Sequence, residues 1–216
     1  MNYFALVQQL ASGMVVTVEI FVLTLIFSLP LGLVISFGRM AKNPVIHLIT
    51  KFYISIMRGT PLMLQIIVVY FGPYLVFGIP LPQGYRFIAV ILAFVLNYAA
   101  YFAEIYRSGI ESIPKGQYEA AKVLGYSKAQ TFIRIILPQV LKRVLPPITN
   151  ETITLVKDTS LAFVITIAEM FTAAKQFAAA ESTFVPLLVA GLFYYIFNLL
   201  VATGMETLEK KLNYYR

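Results

Sequence analysis

The chain has 216 residues, 59% of them hydrophobic and only 12% charged, about half the charged share of a typical soluble domain. That balance excludes a water-soluble globule with an ordinary core. Cysteine is absent, which excludes a disulfide framework, a thiol nucleophile and a Cys-based metal site, while the net charge of +7 raises nucleic acid as a partner until its placement is examined.

Taken in order, residues 1–13 carry no charge and read as an interfacial helix. No basic n-region precedes the apolar run 14–37, which is long enough to cross a bilayer, so a cleavable signal peptide is not expected. Residues 38–51 form a basic loop, and 52–77 a second span interrupted by Arg58-Gly59-Thr60-Pro61. Residues 72–86 hold Pro73, Pro80 and Pro82 and read as a connection. The third span is 87–106, followed by a long polar segment, 107–143. Residues 148–171 are apolar but studded with Asn150, Glu151, Lys157, Asp158, Thr159 and Ser160. They form a fourth span that breaks near 158–160 and leads into a shorter helix over 165–177. The fifth span is 184–204, and the tail 206–216 is polar. No internal repeat or low-complexity linker is visible.

Thirteen of the 17 basic residues fall in the segments 38–51, 107–143 and 206–216. By the positive-inside rule this selects five spans with the N-terminus out and the C-terminus in. It also explains the charge as topology, not as a nucleic-acid surface. The expected fold is all-α and integral to the membrane, one domain over 1–216.

Within the cytoplasmic segment, Pro114 suits a first helical turn, Gly125 suits the left-handed end of that helix, and Ser127 with Gln130 forms a capping box for a second. The spacing Glu119-Ala120-Ala121, Gly125, then Ile135-Ile136-Leu137-Pro138 resembles the cytoplasmic signature loop of ATP-binding-cassette (ABC) importer permeases. Arg58-Gly59-Thr60-Pro61-Leu62, the run from Tyr101 through Glu104, Arg107 and Gly109 to Gly116-Gln117, and Lys157-Asp158-Thr159-Ser160-Leu161 resemble the polar amino-acid branch of that family. The likeness covers roughly 55–170.

The resemblance implies a type I importer transmembrane domain in the bacterial cytoplasmic (inner) membrane. It implies a coupling loop at 114–138, with Gln117, Glu119, Ala120, Ala121 and Gly125 meeting an ATPase subunit. It implies two such subunits, which would bind ATP and Mg, a second permease copy (identical or homologous) and an extracytoplasmic amino-acid-binding protein. Nothing in the chain itself binds ATP by a phosphate loop, since no glycine is followed by lysine. No enzyme activity, cofactor or metal is expected in this chain, and lone His47 lies in an inner loop.

Charges within spans are costly unless paired or wet. Arg58 and Glu104 sit at similar depth and are expected to pair and pin two helices. Glu19, Asn97, Tyr98, Glu151, Thr154, Asp158, Thr159 and Ser160 are the candidates for the substrate path. Residues 151, 154 and 158 share one helix face. Interhelical hydrogen bonding and substrate contact both remain open for each of them. A helix N-terminus at Ser160 would suit a carboxylate. The acids Glu19, Glu151, Asp158 and Glu169 lean the substrate towards a cationic amino acid: arginine, lysine or histidine. The alternative is a stand-alone gradient-driven secondary transporter or channel. An intramembrane enzyme would need a nucleophile or metal set that the chain lacks.

Overall fold

In the computed structural model, which describes residues 3–212, every regular element is helical. They are α1 (Tyr3–Arg39), α2 (Pro44–Gly59), α3 (Leu62–Phe77), α4 (Tyr85–Glu111), α5 (Lys115–Val123), α6 (Lys128–Thr131), α7 (Leu137–Asp158), α8 (Met170–Ala180) and α9 (Val185–Leu212). Helices α1, α4 and α9 are long and apolar enough to cross a membrane, and α2 with α3 would make a fourth crossing if the bent pair is one span. Helix α7, the core of the expected fourth span, is not among them, because its polar stripe lowers its hydropathy.

Helix α1 runs unbroken through residues 3–13, so the separate interfacial helix is corrected (residues 1 and 2 lie outside the described residues). The reason is periodic. Leu6, Leu10, Gly13, Thr17, Ile20, Thr24, Ser28, Gly32 and Ser36 are all buried, one continuous stripe at three- and four-residue spacing. Small residues sit where backbones meet. A Cβ on Gly32 would lie 2.8 Å from Phe102 Cβ, and one on Gly13 2.7 Å from Met170 Cα. These close approaches seat α1 against α4 and the start of α8.

The basic loop 38–51 shrinks to a turn, since α2 starts at Pro44 with Asn43 accepting from Val45 N at 2.9 Å. The expected second span is two helices that meet at 110°. Thr60 precedes a proline and is extended (φ −125°, ψ 147°), as that position requires, and Pro61 opens α3. Helix α3 continues past Pro73 to Phe77, shortening the expected connection 72–86 to a stretch between α3 and α4.

Helix α5 follows its local chemistry closely. Gly125 has φ 79°, Tyr126 N donates to Ala121 O at 3.0 Å and Gly125 N to Lys122 O at 3.0 Å, the paired bonds of a Schellman end. Ser127 and Gln130 form the expected capping box. The chain then continues as a π-helical turn, Phe132–Ile136, into α7. Pro138 explains that turn: it cannot donate to Arg134 O and its ring crowds that carbonyl, and a wider turn relieves both.

The fourth expected span ends its α-helix at Asp158, where the break was expected, but the sequel differs. Thr159–Ile165 continues as a 3-10 helix and Thr166 turns in the left-handed region (φ 57°). The following helix begins at Met170, not near 165. No helix N-terminus exists at Ser160, so the anion site expected there is corrected. Thr159 Oγ1 and Ser160 Oγ fold back onto Val156 O and Lys157 O, at 2.7 and 2.8 Å.

Candidate functional site

The α2–α3 corner, α4 and the last turns of α7 enclose a polar cavity of about 430 Å³. Its wall is Thr60, Pro61, Leu62, Asn97, Tyr98, Tyr101, Glu151, Thr154, Asp158 and Leu161. Each side owes its place to a local cause. The pre-proline kink turns Thr60 and Pro61 inward. Consecutive Asn97 and Tyr98 sit on the buried face of α4. The spacing of 151, 154 and 158 stacks three polar side chains on one face of α7.

Tyr98 is 2% exposed and its hydroxyl donates to Asp158 Oδ2 at 2.7 Å, joining α4 to the end of α7. Among the described residues no hydrogen-bond donor reaches Glu151. Arg58 lies over the ring of Tyr101, 5.2 Å from its centroid, and acts electrostatically on Glu151 and Glu104. The cavity therefore carries two carboxylates with a guanidinium at its edge.

Behind the corner lies a second polar layer. Gln65 Nε2 shares its two hydrogens among Met57 O at 3.0 Å, Thr60 O at 3.1 Å and Thr60 Oγ1 at 2.8 Å, and Asn97 Nδ2 donates to Met57 O at 2.9 Å and Gln65 Oε1 at 3.0 Å. A broken helix in a membrane must have its freed carbonyls satisfied by protein or water. Gln65 and Asn97 do that here.

Of the eight path candidates, the structure gathers Asn97, Tyr98, Glu151, Thr154 and Asp158 in one wall and leaves three outside. Thr159 is fully buried and Ser160 half-buried, each bonded to its own helix. Glu19 is exposed on α1, beside an apolar groove shared with Val15, Val22 and Phe87. Thr60 and Tyr101 are additions to the wall, and Gln65 is an addition to the layer behind it. Gln65 had a readable signal, an amide in an apolar run four residues after Pro61.

The expected Arg58–Glu104 pair does not form. Glu104 takes Arg107 at 2.6 Å and Arg39 Nε at 3.5 Å, while Arg107 also reaches Glu111 at 2.5 Å. Arg107 lies one turn along the same helix and Arg39 ends α1, so both reach Glu104 without crossing the corner. Arg39 is further held by His47. The Nδ1 of His47 lies 2.8 Å from Arg39 O, and its Nε2 lies 2.9 Å from Arg39 Nη1, so the Nδ1–H tautomer satisfies both. Glu169 is fully buried and caps α8, which removes it from the acids available to a substrate. Among the described residues no group of three His, Cys, Asp or Glu side chains could hold a metal.

Beyond the C-terminal end of α4, α5 projects with Gln117, Glu119 and Ala120 exposed and Ala121 buried at 1%. Val123 and Leu124 are 87% and 73% exposed, an uncovered apolar tip next to Gly125.

A protein family described as the binding-protein-dependent transport system inner membrane component matches residues 28–214. The arginine transport system permease protein ArtQ of Bacillus subtilis (strain 168) is 39% identical over 201 residues, covering 93% of this chain and 90% of the relative. The L-cystine transport system permease protein TcyB of the same organism is 35% identical, covering 97% and 91%. A crystal structure of an amino acid ABC transporter with histidines superimposes with a TM-score of 0.87 at 29% identity, covering 98% of this chain and 99% of that one. The MetNI methionine ABC transporter in an inward-facing conformation shares the fold, with a TM-score of 0.72 at 15% identity.

Proposed function

The chain belongs to the family of binding-protein-dependent transport system inner membrane components, a group of multi-pass membrane permeases that includes the amino-acid ABC permeases, and from that premise we propose that it forms the translocation path of an ATP-driven importer for a polar, cationic amino acid. The observation that carries the substrate class is the cavity between the α2–α3 corner and α7, where Glu151 and Asp158 face a space of amino-acid size. Carboxylates held at membrane depth are affordable only against protein, water or a cationic cargo. ArtQ, an arginine permease by name, leans the same way; TcyB, named for cystine, shows that relatives differ in cargo.

In this reading five membrane crossings run N-out to C-in, with α7 and its 3-10 extension as the fourth. Residues 114–138 form the coupling loop, and α5 seats its exposed Gln117, Glu119 and Ala120, with Gly125 at its end, on a separate ATPase subunit. Two such subunits bind ATP and Mg. A second permease copy, identical or homologous, completes the path, and an extracytoplasmic binding protein delivers the amino acid. The setting is the bacterial cytoplasmic membrane. Closure of the ATPase pair moves α5, and α4 and α7, which flank the coupling loop, carry that motion to the cavity wall. Arg143 Nη1, 2.6 Å from Ser112 O, ties the start of α7 to the end of α4 beside α5.

Uptake of labelled arginine and glutamine into proteoliposomes containing the permease and its ATPase tests this. Uptake that requires ATP, favours arginine and is lost in Glu119→Lys with the complex still assembled is the expected result. Uptake that follows an ion gradient and ignores both ATP and Glu119 would hand the cavity acids to a secondary transporter.

A further inference from the structure

The two amides behind the α2–α3 corner have only one consistent orientation. Met57 O is an acceptor, so the atoms 2.9 and 3.0 Å from it must be the nitrogens of Asn97 and Gln65. Thr60 Oγ1 gives its own hydrogen to Ile56 O at 2.8 Å and must therefore accept from Gln65 Nε2. That turns Gln65 Oε1 towards Asn97, where it takes the second Nδ2 hydrogen at 3.0 Å. Both Nδ2 hydrogens of Asn97 are thus spent away from the cavity. Among the described residues no donor reaches Asn97 Oδ1, and Asn97 lines the cavity. What Asn97 has left to offer an occupant is an acceptor.

We propose that Gln65, which is not itself a wall residue, sets the donor–acceptor polarity of the cavity by locking the Asn97 amide with its oxygen inward. The proposal rests on the cavity being the amino-acid site and deepens that reading. Locked this way, the wall presents Asn97 Oδ1 together with Glu151 and Asp158, acceptors on both sides, and Tyr98 spends its hydrogen on Asp158. That part of the wall selects a side chain that carries donors only, a guanidinium or an ammonium, while the hydroxyls of Thr154 and Tyr101 line the rest and can turn to donate or accept. It penalises an isosteric group with a carbonyl in the same place, because two acceptors then face each other. Without Gln65 the amide keeps a single tie, to Met57 O, and can swing about it, so its oxygen is no longer held inward. Gln65 is a positioning residue: it acts through Asn97 and touches no substrate.

The test is equilibrium binding of labelled L-arginine and L-citrulline to the detergent-purified permease with its ATPase partner. The two ligands match in shape, but citrulline carries a ureido oxygen where arginine carries a guanidinium nitrogen. Wild type is expected to prefer arginine. Gln65→Met, close in size, should lower the arginine-to-citrulline ratio about tenfold, the scale of one buried hydrogen bond to a charged group. Gln65→Glu keeps an acceptor for Asn97 Nδ2 and should hold the ratio at or above wild type, even if both affinities fall. It also keeps the proposal falsifiable if Gln65→Met does not assemble. An equal loss for both ligands in Gln65→Met, or a ratio that collapses in Gln65→Glu, makes Gln65 a brace of the corner and overturns the proposal. Glu151→Gln is the separate control. If it weakens arginine binding while the Gln65 ratios do not move, only the Gln65 assignment fails. If arginine binding ignores Glu151, the cavity is not the site and both readings fall.

Discussion

Two acidic sites in this membrane domain, Glu169 and the pair Glu151 and Asp158, look alike in the sequence and have opposite fates. Glu169 is fully buried, and four donors close on it: Phe171 N and Thr172 N at 2.7 Å, Thr172 Oγ1 at 2.8 Å and Tyr194 Oη at 3.0 Å. It sits at the N-terminus of α8, where the helix dipole favours a negative charge. Asp158 has one such donor, Tyr98, and Glu151 has none among the described residues. Both of these face open space. Burial alone does not separate these acids; unspent acceptor capacity does. Glu169 is saturated by its own fold and has nothing to give a ligand, whereas the cavity acids are held in place and left incomplete.

The largest expected effect comes from breaking the saturated site. Glu169→Ala strands two backbone N–H groups and two hydroxyls in an apolar setting, a loss of about 3 kcal/mol or more. Thermal unfolding of the purified complex should shift down by several degrees. The fraction that stays folded should bind arginine with unchanged affinity, and a specific loss of affinity instead would place Glu169 on the path. Next is Glu151→Gln, which should do the reverse. Arginine binding is expected to fall at least tenfold, with stability held within about 0.5 kcal/mol because no hydrogen bond to the protein is lost. Tyr98→Phe should fall between them. It removes the one donor to Asp158 among the described residues, costing about 1–2 kcal/mol of stability, and it frees Asp158 to swing, so arginine affinity should drop several-fold.

The sequence foretold those features that depend on neighbours along the chain. Pro114, Gly125, Ser127 and Gln130 specify both ends of the signature turn by local hydrogen bonds, and Thr60-Pro61 specifies a break by sterics. The stripe at 151, 154 and 158 announced a shared polar face through helical spacing alone. Partner choice across helices was not foretold. Glu104 had Arg58 as its candidate and takes Arg39 and Arg107; the Arg107 partner, three residues on, could have been read from spacing, but Arg39 arrives from α1 with no local trace. Glu169 carried no warning of a capping role, because glutamate is not a favoured N-cap and two of its four donors come from side chains, one on α9. Continuation of α1 through residues 3–13 was legible in the spacing of Leu6, Leu10, Gly13 and Thr17. The lack of charge there reads equally well as an interface.

The smallest effect in this series is the most specific. Gly125 ends α5 with φ 79°, and a Cβ added there meets nothing within 4 Å. Gly125→Ala therefore adds no clash, and its whole cost is the left-handed backbone, about 1 kcal/mol. Gly116, in the first turn of the same helix, also has nothing within 4 Å of an added Cβ, and its φ is not in the positive range. Gly116→Ala adds the same methyl group and should be neutral or slightly favourable to the helix. The difference between the two variants thus isolates the turn that sets the direction in which α5 leaves α6. If α5 passes force between the ATPase and the cavity, Gly125→Ala should lower substrate-stimulated ATP hydrolysis a few-fold and leave arginine binding intact, while Gly116→Ala changes neither. Equal behaviour of the two would mean that the angle of α5 is not transmitted. The apolar tip at Val123 and Leu124 would then be a surface without a coupling role, separating the outer fate of α5 from the cavity chemistry that Glu151 and Asp158 test on their own.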